Sequence, residues 1–203
     1  MFFVPGNHKQ AGLAFNPLKA IVSPRPIGWI STHNKDGVAN LAPYSFFNAI
    51  SELPPMVGYS AAPGPFGEKD SLTNARETGE FVVNIVSKAM TLAMNESSAA
   101  MENHHSEFDR AGLEQEASET VSAPRVKGAP CHLECKLWKI LELPPMPDGR
   151  ANHWVMGQIT GIHIDDSIIR DGKVDVTLYQ PLARLGYMDY AVVEEVFSLD
   201  RPK

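Results

Sequence analysis

The chain has 203 residues, 18 basic against 24 acidic side chains for a formal net charge of −6, 43% hydrophobic residues and two cysteines. A chain of this length buries roughly 70% of its unfolded surface, so it needs neither disulfides nor a metal to fold. The acidic balance removes any general attraction to nucleic-acid phosphates or anionic lipid, and neither nucleic acid nor membrane is expected as a partner.

Apolar runs fall far short of the roughly 20 residues a membrane helix needs. Residues 1–9 carry no basic stretch ahead of an apolar core, and a cytoplasmic protein is expected. No internal repeat appears, which favours one domain over residues 1–203. The 15 glycines and 16 prolines predict many short elements and turns.

Residues 26–33 read as a strand that turns at Asn34-Lys35-Asp36-Gly37 into a second strand over 38–41, since Asp-Gly is a hairpin signal. Pro54-Pro55 precedes a short strand over 56–60, and residues 62–67 are loop. Asp70 is the expected N-cap of a helix that Gly79 closes, followed by a strand over 81–86 and a second helix over 87–101. Residues 114–124 alone look like a linker. Over 131–143 the odd positions are apolar except Lys139, and His132, Glu134, Lys136 and Glu142 on the even positions are expected to face water. Residues 154–164 form a further strand in which Gly157 and Gly161 predict bending or close backbone approach. Long bent strands with few helices suggest a barrel.

Several constellations have ordinary readings. Cys131 and Cys135 on one strand are separated by roughly 13 Å, beyond disulfide reach, and read as small buried apolar residues. His104, His105, Glu107 and Asp109 resemble a metal cluster, but adjacent histidines point to different faces and solvated loop is the better reading. Gly58-Tyr59-Ser60 approaches a nucleophile elbow, yet Pro63-Gly64-Pro65 stands where the following helix should begin. No dinucleotide or P-loop glycine motif is present, so a nicotinamide nucleotide is expected only as a passing substrate.

Three segments remain, at 29–32, 42–48 and 69–71. They supply hydroxyls, an amide, a lysine and a helix start, the groups that hold a phosphorylated ligand. Taken alone they are equally ordinary strand and cap residues with Lys69 on the surface.

At these segments the chain resembles the flavin reductase-like family of FMN-binding split barrels, which includes flavoredoxin-type proteins. The matching residues are Ser23 to Thr32, Asp36-Gly37, Asn40 to Asn48, Pro54-Pro55, Lys69-Asp70-Ser71, Asn74, Glu77 to Asn84, Pro181 to Tyr187 and Tyr190. The likeness runs from about residue 15 to the end. It implies a mainly β fold, a six-stranded antiparallel split β-barrel with Greek-key connections and a few flanking helices, assembled as a homodimer with FMN near the dimer interface. It implies a cofactor-binding stretch at Trp29, Ile30, Ser31 and Thr32. Ser31, Thr32, Lys69 and Ser71 would hold the phosphate and ribityl chain. Trp29 and the segment Ser45, Phe46, Phe47 and Asn48 would line the isoalloxazine. Asn74, Arg76 and Tyr187 would belong to the pocket or the dimer contact. Many relatives have threonine where this chain has Ser71, which keeps the hydroxyl.

The implied activity is NAD(P)H:flavin reduction, hydride passing from nicotinamide to flavin N5, with no side-chain catalytic base and no metal. The alternatives are a flavoredoxin-like electron carrier whose tightly bound FMN is reduced by a protein partner, and a hydrolase acting through Ser60. His163 is expected to cap a strand edge rather than contact nicotinamide.

Overall fold

The computed structural model describes residues 1–101 and 105–202. Strand β1 (Gly28–His33) pairs antiparallel with β2 (Ala39–Tyr44), from Gly28 opposite Tyr44 to His33 opposite Ala39. The turn between them places Gly37 at φ 81°, a conformation that favours glycine. Asn34 Oδ1 accepts from the N–H groups of Asp36 and Val38 at 2.9 Å each, closing the hairpin as its sequence predicts.

Strands β3 (Phe47–Ser51) and β4 (Met56–Ala61) follow, then helix α1 (Asp70–Thr78) and β5 (Glu80–Ile85). Lys69, not Asp70, takes the N-cap position of α1, and Gly79 closes the helix at φ 74°. The helix expected over 87–101 is shorter, a 3₁₀ turn at Lys88–Met90 running into α2 (Thr91–Glu96). Helix α3 (Glu107–Ala111) and the long strands β6 (Cys131–Glu142) and β7 (His153–Ile164) complete the body.

These strands form one seven-stranded sheet in the order β2-β1-β5-β6-β7-β4-β3, all neighbours antiparallel. The expected mainly β, split-barrel class holds, but the expectation of six strands is corrected to seven. β3 adds a seventh strand outside β4, and the edge strands β2 and β3 are consecutive in the chain without pairing to each other. The two edges are joined only through Ser45 and Phe46, which leaves the curled sheet open at that corner. A small three-stranded sheet joins Arg25–Pro26, Leu182–Arg184 and Tyr190–Val192.

Apolar residues bury on both faces of β1, which explains its lack of a wet side. Ile30 packs with Tyr44, Phe47, Tyr59, Leu72, Phe81 and Val155 under α1. Trp29 packs on the opposite face with Leu41, Val86, Met94, Phe108 and Val126.

The alternation expected along β6 holds only to Leu137. Gly157 pairs with Leu137 and Met156 with Lys139, so Trp138 is an extra, bulged residue. Beyond it the phase inverts: Ile140 packs against the core and Leu141 turns outward. The expected wet face is corrected too, because His132 and Glu134 are buried. Residues 114–124, which look like a linker, cover them. Close backbone approach at Gly157 is realised, since a Cβ there would lie 2.5 Å from the Phe81 ring.

Candidate functional site

A cleft partly open to solvent lies where the N-terminus of α1 faces β2. Its walls are Asn40 and Ala42 to Tyr44 from β2, the loop 64–68, Lys69 to Ser71, residues 97–101 and Glu107. Lys69 flanks this opening because the breaker-rich loop 62–67 ends where α1 begins. Its aliphatic stem lies over Gly64, where a Cβ would sit 3.3 Å from Lys69 Cε.

The Lys69 ammonium has no hydrogen-bond or ion-pair partner among the described residues. Helix geometry leaves the first N–H groups of α1 without intrahelical acceptors, because Leu72 and Thr73 already take the Lys69 carbonyl at 2.9 and 3.1 Å. A partner-free cation beside such a helix start is suited to an anion.

Behind the cleft runs a buried polar network. Glu107 Oε2 accepts from Asn40 Nδ2 at 2.8 Å and from the Leu41 N–H at 3.0 Å. Asn74 Nδ2 donates to Thr32 Oγ1 at 3.1 Å, and Thr32 Oγ1 lies 3.5 Å from Asn40 Oδ1. The Tyr44 hydroxyl bonds Ser71 Oγ, and the Tyr59 hydroxyl donates to the Ser71 carbonyl at 3.0 Å. Burial pushes the Tyr44 and Tyr59 hydroxyls well above the usual phenol range, so both stay protonated as donors.

The site residues read from the sequence divide among three places. Lys69 and Ser71 line the cleft, and Asn74 lines a small recess beside it with Asn40 and Asp70. Trp29, Ile30, Ser31 and Thr32 are fully buried behind it. Trp29 Nε1 donates at 2.8 Å to Ser97, a residue of the cleft wall, and Ser31 bonds Asn84 and the Pro124 carbonyl. Ser45 to Asn48 continue from the β2 wall around the open corner. Phe47 is in the core, Asn48 is exposed, and Phe46 is 42% exposed beside Arg25 and Lys19. Tyr187 is half-exposed at φ 53°, its ring 5.6 Å from that of Phe15. Arg76 is held on the outer side of α1 by Glu68 at 2.7 and 3.1 Å.

Other features lie away from the cleft. β4 continues through Ser60 to Ala61 and the next helix starts only at Asp70, so no nucleophile elbow forms. Cys131 and Cys135 are both free thiols. Among the described residues no group of three or more His, Cys, Asp or Glu is placed to hold a metal. His104 lies outside the described residues, but the solvated-loop reading is corrected for Glu107, which opens α3 and is 7% exposed. His163 Nε2 bonds the buried Glu134 carboxylate at 2.5 Å.

Glu107 and the 97–101 wall are what sequence reasoning missed. No local pattern announces Glu107: it opens a short helix closed by Gly112, and its partner Asn40 lies 67 positions away.

Comparison with known proteins agrees with this architecture. The sequence model of the flavin reductase like domain matches residues 22–186, and the chain belongs to that family. An uncharacterized protein of Halalkalibacterium halodurans is 36% identical over 182 residues, 89% of this chain and 87% of its own. Among solved structures, nitrilotriacetate monooxygenase component B from Bacillus cereus is similar with a TM-score of 0.88 and 31% identity, covering 98% of each chain. The 2-nitrobenzoate 2-nitroreductase NbaA of Pseudomonas fluorescens has a TM-score of 0.84 and 29% identity, covering 100% of this chain and 96% of its own. No described helix is long and apolar enough to cross a membrane.

Proposed function

We propose that the chain is an FMN-binding oxidoreductase that reduces flavin with NAD(P)H. The observation that carries this reading is the partner-free Lys69 ammonium at the open N-terminus of α1, in a chain of the flavin reductase like family. The residues present suit the phosphate end of the cofactor: Lys69 supplies charge, the first N–H groups of α1 supply donors, and the loop at Gly64 leaves room. Ser71 sits at the same place with its hydroxyl tied to Tyr44, so it fixes the helix start. Ser31 and Thr32 support the cleft from behind. Ser45 to Asn48 at the open corner offer backbone donors and the exposed Phe46 ring to the planar end.

Bound flavin would supply the redox chemistry by accepting hydride from nicotinamide, so the protein needs to orient and to exclude water rather than to provide a base. The buried hydroxyls and amides behind the cleft hold its walls in one geometry for that purpose.

The test is the visible spectrum of the purified protein with FMN, followed by anaerobic NADH and NADPH. Bleaching of the flavin bands by either nucleotide is expected. A bound flavin that only dithionite or a protein reductase bleaches overturns the reductase reading in favour of an electron carrier. Failure to bind FMN overturns both.

A further inference from the structure

Glu107 is a carboxylate buried in the wall of the same cleft as Lys69. Its Oε2 accepts from Asn40 Nδ2 and from the Leu41 N–H. The charged groups around it come from every neighbouring element. Lys69 and Asp70 face it from α1, with Glu68 just ahead on the loop. Tyr44 on β2 is held neutral by burial. Arg110 on its own helix is taken by Glu96 of α2 at 3.4 Å, and His105 borders the adjoining recess with Asp70. Burial raises the Glu107 carboxyl above the usual range and Asp70 adds to it, whereas the Leu41 N–H, its own N–H and Lys69 pull it down.

We infer that a phosphate-bearing ligand enters this cleft together with a proton, and that Glu107 receives it. The inference rests on the reading above that Lys69 meets the FMN phosphate. A phosphate monoester carries about −1.5 to −2 charge at neutral pH. Paired with Lys69, it offsets a nearby positive charge that favours the Glu107 carboxylate and adds negative charge to the same cleft. Both changes favour the protonated acid. Glu68 is a poorer receiver, because Arg76 holds it ionised. Once protonated, Glu107 still accepts from Asn40 and Leu41, so the wall keeps its shape. Affinity for FMN therefore rises as pH falls through the range in which Glu107 is ionised free and protonated bound.

Isothermal titration of FMN into the whole chain, in buffers of different ionisation enthalpy across the neutral range, counts the protons taken up. Glu107→Gln keeps an acceptor for Asn40 and Leu41 and imitates the protonated acid. We expect wild type to take up more protons per FMN than Glu107→Gln, and the variant to bind FMN several-fold tighter at the alkaline end. Riboflavin, which lacks the phosphate, is expected to show no such difference. Ionisation of the FMN phosphate itself contributes equally to both proteins and subtracts out. Carbon-13 NMR of glutamate carboxyls in wild type gives a second reading that needs no variant, with a buried carboxyl moving to a higher titration midpoint on FMN addition. Equal proton counts in wild type and variant, or the same uptake with riboflavin, overturn the inference while leaving FMN binding intact. Absence of FMN binding, read separately by flavin fluorescence, overturns the flavin reading and this inference with it.

Discussion

Replacing Lys69 by alanine removes a cation whose stem and ammonium border the cleft with no hydrogen-bond or ion-pair partner among the described residues. A charge-assisted phosphate contact contributes about 1.5 to 3 kcal/mol, so Lys69→Ala should weaken FMN binding about tenfold to a hundredfold in a fluorescence titration. Its fold should be untouched, since no described hydrogen bond depends on that side chain. Gly157→Ala should do the opposite, leaving the cleft intact and destabilising the fold. The added methyl meets the Phe81 ring at 2.5 Å and Cys135 Cβ at 3.1 Å, in a core with no slack. Overpacking of this kind costs about 1 to 3 kcal/mol, readable as a lower urea midpoint. Both residues were legible in the sequence, Lys69 from the helix start and Gly157 from a glycine inside a strand pattern. Glu107 was not, because its partner Asn40 lies 67 positions away and no local pattern reports that distance.

Among the elements, β6 shows most clearly what an alternating pattern conveys and what it conceals. Period-two reading placed its first half and failed at Trp138, since one bulged residue exchanges the faces of everything after it. It also assigned His132 and Glu134 to water, because a polar residue at an outward position gives no sign that another segment will cover it. The cover is residues 114–124, polar enough to resemble a linker yet pinned by two buried carboxylates. Glu134 accepts from the N–H groups of Glu119 and Thr120 at 2.8 and 2.5 Å, and Glu80 accepts from those of Ser122 and Ala123 at 2.5 and 3.1 Å.

Acid should therefore weaken this region in two windows, one at Glu134 under the cover and one at His132, which bonds Asn84 beside it. Burial opposes the Glu134 charge, but the Thr120, Glu119 and His163 bonds outweigh it and hold the carboxyl at about 2 against an ordinary 4.5. Its contribution is complete above about 4.5 and disappears as pH falls through about 2. Burial, with Arg125 and His163 nearby, holds the His132 imidazole at about 4 against 6.5, so its part of the stability is lost between those values as pH falls. Chemical denaturation followed against pH should show decline beginning below about 6.5 and steepening below about 4.5. In Glu134→Gln the stability at neutral pH should fall by roughly 3 kcal/mol, with the gap to wild type closing toward the acid limit. A constant gap at every pH would refute the assignment.

For the whole molecule, the motifs in order pointed to the split barrel of this family with six strands, but the seventh was not readable. β3 is short and mostly exposed, with nothing in Phe47–Ser51 to show that it extends the sheet beside β4. The same corner bears on assembly. Arg25 and Arg184 stand directly opposite each other across the small sheet. The buried Arg25 guanidinium donates to the Lys19, Val22 and Leu185 carbonyls, and Arg184 donates to the Tyr187 carbonyl and lies over the Tyr190 ring. Around them Phe15, Leu18, Ile21 and Phe46 are 68%, 55%, 73% and 42% exposed. At the other end of the chain Val196, Phe197 and Leu199 are also exposed, in a segment that carries Glu194, Glu195 and Asp200. Apolar side chains interspersed with acids complement an apolar face bordered by the exposed Lys19, and we propose that a second copy of the chain brings them together. Sedimentation equilibrium should give a dimer that weakens as salt rises. Ile21→Glu places a charge in that face without touching the core, so it should yield a monomer whose circular dichroism and urea midpoint match those of wild type diluted to the monomer. FMN affinity should fall with the loss of the dimer if the partner also closes the open corner at Ser45 and Phe46, and should stay constant if the cleft of one chain suffices. A wild-type chain that sediments as a monomer at every concentration would remove the second copy from this corner.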